Sequence, residues 1–353
     1  MQITRLKRGK ALAGIAIAVT ALLVGCSSPT DPGTDPGESS DADFSSTKVA
    51  LVPGGAHPYF QPWVQGGEAA VEEFGLGGMT FNETGEWDQT KQNAAIDALA
   101  AQGYNAFGIF GVSPTDINTT FEKLKANGFA VGSIASCPAG DVNKADFCLS
   151  TDTGEAAYLA AKAAIDQMGG EGNLVHLTGN AVDSNTQRRM EGVQKAVDET
   201  SGAVTLLTTI TDIDKDLQSA QKAVSDLLAA QGSEIQGIVT TAYNPAVAAT
   251  EGVISTGLPI KVIAIDDDQK ILDAITDGSI SGTVVQNPWG QAYVGSYVLA
   301  ALNSGCTMNE PGLYVDSGSF LVTKDNVATY DAERKAKSME ILDAFKSTHL
   351  NCN

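Results

Sequence analysis

Six short clusters of polar and aromatic residues each follow an apolar run in this 353-residue chain. They are Gly54-Gly55-Ala56-His57-Pro58-Tyr59-Phe60, Ala135-Ser136, Thr178-Gly179-Asn180, Thr241-Ala242-Tyr243-Asn244, Asp266-Asp267-Asp268 and Gln286-Asn287-Pro288-Trp289. Aromatic rings, amides and a carboxylate make up the set that a hydroxyl-rich molecule requires. Planar amide and carboxylate groups form paired hydrogen bonds to adjacent hydroxyls, and rings cover C–H faces. His57, Tyr59, Phe60, Ser136, Tyr243, Asn244, Asp266 and Gln286 are therefore candidate ligand contacts. Trp87 and Trp289, with Tyr243, are candidates for a ring wall; for these three, packing in the core is an equal alternative.

The elements that must carry these clusters are legible as an alternation. Apolar runs at Val49–Val52, Ala106–Val112, Ala130–Ile134, Leu174–Leu177, Val204–Ile210, Gly237–Thr240, Val262–Ile265 and Gly282–Val285 read as parallel strands covered on both faces. Between them lie amphipathic stretches. Gln61–Phe74 ends at Gly75 and Asp216–Ala230 ends near Gly232, both stops being places for a left-handed glycine cap. Such alternation predicts doubly wound α/β sheets. The length calls for two sheets of about five or six strands rather than one, with a break near Ser150–Asp152. In open parallel sheets ligands bind beyond the carboxyl ends of strands, which is where the six clusters fall.

The first 25 residues read as an export signal. Arg5, Lys7, Arg8 and Lys10 precede an uncharged run, Ala11 to Val24, shorter than the ~20 residues a spanning helix needs. The sequence Leu23-Val24-Gly25-Cys26 resembles a bacterial lipobox, with Cys26 as the lipidated residue that anchors the chain to a membrane. Residues 26–46, rich in Ser, Pro, Gly, Asp and Thr, read as a disordered tether. Export agrees with the remaining cysteines, Cys137, Cys148, Cys306 and Cys352, an even number. Three pairings are open. Cys137 with Cys148 would close a polar loop, and Cys306 with Cys352 would pin the tail.

The chain carries 22 Lys and Arg against 42 Asp and Glu, a net charge of -20. That disfavours nucleic acid as a partner, which needs clustered positive charge. No Gly-x-Ser-x-Gly elbow and no phosphate loop occurs. Asp212-x-Asp214-x-Asp216 lacks the glycine and the final Glu of a calcium loop and reads as an acidic helix start. Asp266 is taken as the ligand carboxylate of its triplet, with Asp267 and Asp268 solvated. His57, His176 and His349 are far apart; His176 reads as a satisfied core residue. Neither a metal nor a cofactor is expected.

Taken together, KVALVPGGAHPYFQPWVQGGEAA, QRRMEGVQKAV, VIAIDDD and GTVVQNPWGQAYVG resemble the periplasmic sugar-binding proteins of ABC importers, of the ribose-binding type, from Lys48 to about Asn326. The resemblance implies a two-lobed cleft protein, with 47–151 plus 287–317 in one lobe and 152–286 plus 318–353 in the other, the chain crossing the hinge three times. It implies that Tyr59 and Phe60 grip the sugar and that Arg189, Asp266 and Gln286 bind its hydroxyls, Arg189 and Asp266 also pairing. It departs from the pattern where His57 replaces an Asn, Ala135-Ser136 an Asp-Arg pair, Ile213 an aromatic and Ala242 an Asn. Losing an Asp-Arg pair and a ring favours a smaller or more flexible polyhydroxy ligand, such as a sugar alcohol. The implied role is a monomeric, non-enzymatic solute-binding lipoprotein, periplasmic or on the outer face of the membrane, that delivers ligand to an ABC permease. The alternatives are a receptor of the same fold feeding a sensor kinase, and an exported α/β hydrolase.

Overall fold

The computed structural model describes residues 43–140 and 142–352. The expected signal, Cys26 and most of the expected tether lie outside the described residues. In chain order the first elements are β1 (Lys48–Val52), α1 (Pro62–Phe74), β2 (Gly78–Phe81), α2 (Gln89–Ala101), β3 (Ala106–Ile109), α3 (Ile117–Ala126), β4 (Ala130–Ile134) and β5 (Phe147–Ser150). Next come α4 (Thr153–Gln167), β6 (Gly172–Leu177), α5 (Ser184–Asp198), β7 (Val204–Ile210), α6 (Leu217–Gln231), β8 (Gly237–Thr240), α7 (Tyr243–Thr256), β9 (Lys261–Ile265), α8 (Gln269–Asp277) and β10 (Gly282–Val285). The chain ends with α9 (Pro288–Asn303), β11 (Thr307–Met308), β12 (Leu313–Asp316), β13 (Phe320–Val322), α10 (Tyr330–Ala344) and β14 (Leu350–Asn351).

Two six-stranded sheets result, ordered β12-β5-β4-β3-β1-β2 and β13-β10-β9-β8-β6-β7. All neighbours are parallel except β13, which runs antiparallel to β10. The inner strands β3, β4, β5, β8 and β10 are buried along their whole length, as strands with helices on both faces must be. β2, an edge strand of half-buried residues, has no strong apolar signal and is not among the runs read from sequence. Aspartates cap the helices. Asp88, Asp152, Asp183, Asp216 and Asp268 each accept a backbone N–H at a helix start, so part of the acidic excess serves the helix dipoles.

The chain passes between the sheets at 151–152, 286–287 and 317–319, and these three passages meet in one buried polar cluster. Gln291 Nε2 donates to Ser317 Oγ at 3.0 Å and to Thr151 Oγ1 at 3.4 Å, while the two hydroxyls are 3.2 Å apart. Asn287 Nδ2 donates to the Ser317 carbonyl at 3.0 Å.

Three expectations need correction. Phe44, assigned to the tether, is buried and meets Tyr297 edge-on at 5.7 Å, so the folded body begins before residue 47. The segment beyond β13, assigned to the second lobe, returns to the first: Ile341, Leu342, Phe345 and Leu350 join the core that holds β1, β4 and α9. β14 pairs with β11 there, beside the Cys306–Cys352 disulfide. Cys137 and Cys148 form the other bridge. Lastly, Gly75 does adopt the left-handed cap (φ 66), but Gly232 is right-handed (φ -55). Gly232 is small for another reason, since a Cβ there would stand 2.7 Å from Leu258 Cδ1.

Candidate functional site

In each sheet the strand order reverses once near the middle, between β1 and β3 and between β6 and β8. A crevice opens outside the strand ends at such reversals. The loops after β1 and β3 and those after β6 and β8 line one cavity of about 560 Å³, together with residues after β4, β7, β9 and β10. That volume suits a small molecule rather than a polymer. His57, Tyr59, Phe60, Trp87, Ser136, Arg189, Tyr243, Asp266 and Gln286 all line it.

Asn244 and Trp289 do not. Asn244 is buried behind the wall, its N–H and Nδ2 donating to Asp214 Oδ1 at 2.8 and 3.0 Å. Trp289 stacks on Tyr293 with ring centroids 4.6 Å apart and packs against the first core. The packing alternative is thus the right one for Trp289, because it lies within α9 and that helix turns it away from the strand ends.

Local geometry explains how the remaining groups are held. His57 caps the short turn Pro58–Phe60, its Nδ1 accepting from the Tyr59 N–H at 3.2 Å. Tyr59 Oη donates to Gln291 Oε1 at 3.1 Å, which ties the cavity wall to the polar cluster between the sheets. Arg189 rides on α5, which presses against α4 through glycine: a Cβ on Gly192 would lie 2.1 Å from the Gly154 carbonyl. Trp87 is 47% exposed, its ring 6.1 Å from His57 and 6.2 Å from Phe60. Gly54 and Gly55 make its seat, since Cβ atoms there would stand 3.0 and 2.8 Å from the indole. The backbone shows the same concentration. Among the described residues, six other than glycine have positive φ, and Glu86, Trp87, Ala135, Asp212 and Asp266 of these line the cavity. Each costs on the order of 1 kcal/mol, strain that collects where side chains must be aimed.

The three consecutive aspartates divide their work. Asp266 is buried and accepts from Gln286 Nε2 at 2.8 Å through Oδ1. Burial pushes its pKa up to about 7, against the downward pull of the Gln286 hydrogen bond and the Arg189 charge. Asp267 and Asp268 are not simply solvated. Arg334 Nη1 donates to Asp267 at 2.7 Å, and Asp268 caps α8 while accepting from Tyr243 Oη at 2.9 Å. Arg189 forms no ion pair with Asp266 within 4 Å, so the expected pairing is not made and both keep polar atoms for a guest. His176 is buried as expected but only half satisfied, with Nε2 2.7 Å from Thr241 Oγ1 and Nδ1 without a partner among the described residues. Burial, helped by Arg189, lowers its pKa to about 3 and keeps it neutral.

Sequence reasoning missed Asp214. It read 212, 214 and 216 as one acidic helix start, which holds for Asp216 alone, the N-cap of α6. Asp212 accepts from the Ala181 N–H at 3.1 Å, and Asp214 lines the cavity. Thr186 and Asn185, one turn before Arg189, also line it. The alternate spacing of the acids gives no sign that each faces a different neighbour.

Two parallel sheets with a shared cleft between their strand ends define the architecture of two-lobed binding proteins, and solved structures agree. A solute-binding protein of an ABC transporter from Burkholderia graminis, in complex with D-arabinose, superposes with a TM-score of 0.73 at 21% identity, covering 82% of this chain and 99% of that one. A sugar-binding protein of a sugar ABC transporter from Bacillus halodurans gives 0.71 at 22%, covering 80% and 99%. Residues 49–306 match the family model for the periplasmic binding protein domain, and the chain belongs to that family. Among relatives, a ribose import binding protein of Bacillus subtilis is 25% identical over 232 residues, 66% of this chain and 73% of that protein. A xylitol-binding protein of Mycolicibacterium smegmatis is 25% identical over 248 residues, 68% of this chain and 67% of that protein. The chain is accordingly a binding protein and not an enzyme, and the hydrolase alternative is discarded.

Proposed function

We propose that this chain is the extracytoplasmic solute-binding component of an ABC importer, and that it takes a neutral sugar or sugar alcohol into the cleft and presents it to the permease. The observation that carries this reading is the convergence of Tyr59, Arg189, Asp266 and Gln286, which come from both sheets, on one cavity. A ligand touching both lobes stabilises the closed form by its differential affinity for that form. The charged lining supports a neutral guest. Glu86, Asp183, Asp212, Asp214 and Asp266 outnumber Arg189 and Lys215, which opposes sugar acids and sugar phosphates. Absence of the Asp-Arg pair at Ala135-Ser136 favours a ligand smaller or more flexible than a hexopyranose, and a xylitol-binding relative agrees with that. Lipidation at Cys26 would hold the protein on the outer face of the membrane; among the described residues no helix is long and apolar enough to cross one.

A thermal-shift and calorimetric screen of pentoses, hexoses and C4–C6 polyols tests the reading. Binding of a neutral member, weakened by about 2 kcal/mol or more in Arg189→Ala, is expected. Binding confined to charged or apolar compounds would overturn it.

A further inference from the structure

Resting on the reading of the cleft as a site for neutral polyhydroxy ligands, we propose that His57 and Asp214 form a separate recognition point that receives one ligand hydroxyl between the two sheets. His57 follows β1 in the first sheet, and Asp214 lies between β7 and α6 in the second. Both are oriented by their neighbours. The Tyr59 N–H donates to His57 Nδ1, which is thereby an acceptor, so the proton of the neutral ring resides on Nε2. Asn244 holds Asp214 by two hydrogen bonds to Oδ1, leaving Oδ2 uncommitted.

The two uncommitted atoms face one another. His57 Nε2 stands 3.4 Å from Asp214 Oδ2, within reach of ionic attraction, yet it is buried and makes no hydrogen bond among the described residues. A buried donor without a partner is rare in native proteins. An oxygen about 2.8 Å from each atom completes a triangle over that 3.4 Å base. Only a group that accepts on one side and donates on the other satisfies both, and a hydroxyl does so. An ammonium could not accept from Nε2, and a carboxylate or phosphate oxygen would meet the Asp214 charge. Because donor and acceptor come from different sheets, the bridging hydroxyl links the lobes at a point distinct from Arg189, Asp266 and Gln286. His57 and Asp214 thus determine specificity for one hydroxyl of the guest.

The test uses two conservative variants. Asp214→Asn keeps an oxygen for Asn244 but loses the free acceptor. His57→Asn keeps a capping acceptor for the Tyr59 N–H but is too short to reach Asp214. Calorimetry would compare parent and variants with xylitol, D-ribose and D-arabinose, then with the monodeoxy analogues of whichever binds, melting curves confirming that each variant is folded. Each variant should bind roughly ten- to hundredfold more weakly. One deoxy analogue, weak on the parent, should lose nothing further on either variant, so the effects do not multiply. If both variants bind like the parent, or if their losses multiply with every deoxy analogue alike, as a direct latch between the lobes would give, the inference is wrong while the function reading stands. If these three fail, the tightest neutral binder from the pentose, hexose and polyol screen takes their place, and if none of that screen binds the parent, both fall.

Discussion

Asp266 concentrates the tension between stability and binding at a single residue. Its backbone is held at φ 65 and its carboxylate is buried, with Gln286 Nε2 donating to Oδ1. Its pKa rises from 3.8 unfolded to about 7 folded. Between those values the native state holds a proton that the unfolded chain has released, so stability falls as pH rises through this window. The cost is complete above pH 7 and absent near pH 4. Asp266→Asn, which can still accept from Gln286, should therefore melt higher than the parent at pH 8 without ligand, by roughly 1–3 kcal/mol, with the difference vanishing near pH 4. The same variant should bind ligand poorly. A lower melting temperature at pH 8 would show that the ionised carboxylate is stabilised rather than strained. At this scale the sequence disclosed Tyr59, Phe60, Asp266 and Gln286 as neighbours because each follows an apolar strand. It could not disclose Asp214, whose role depends on Asn244, thirty residues later and one strand away. Nor could it separate Trp87, seated on Gly54 and Gly55, from Trp289, which stacks on Tyr293 and packs half-buried against the core.

Among the elements, the junction of the three passages explains how a wall residue can be coupled to the hinge. Gln291, in α9, accepts from Tyr59 and donates to Thr151 and Ser317, and all but Tyr59 are fully buried. Gln291→Leu would leave buried polar atoms without partners, a loss of about 1–3 kcal/mol, read as an earlier midpoint in urea. An unchanged midpoint would mean that the cluster is not a structural tie. The two disulfides act on the same lobe. Their sequence separations of 11 and 46 correspond to about 3 and 4 kcal/mol of chain entropy. Reducing agent should lower the melting temperature, and titration of the unfolded, unreduced soluble form should find no free thiol; four would contradict both bridges. The inner strands other than β5, and α1, were legible because burial on both faces leaves continuous apolar runs and because Gly75 marks a left-handed stop. The edge strand β2 and the return of α10 to the first lobe were not legible. A half-buried edge has no periodic signature, and the position of α10 is set by packing on α9 and by the Cys306–Cys352 tail rather than by its own composition.

At the scale of the whole molecule, two sheets present their strand ends to one small cavity. The fold follows from the alternation of strand and helix and from a length that one sheet could not absorb. The identity of the guest does not follow from that alternation, since the same frame can carry different side chains at its strand ends. Here the frame carries an acidic cleft with Arg189, which has no ion pair among the described residues, a buried Asp266 and a donor and acceptor facing each other at His57 and Asp214. The most direct measurement is a crystal structure with the tightest-binding neutral compound from the screen. It should have hydroxyls within hydrogen-bonding distance of Arg189, Asp266 and Gln286, and carbon faces against Tyr59, Phe60 or Trp87. A guest bound elsewhere, or held by one sheet alone with those side chains unoccupied, would contradict the account.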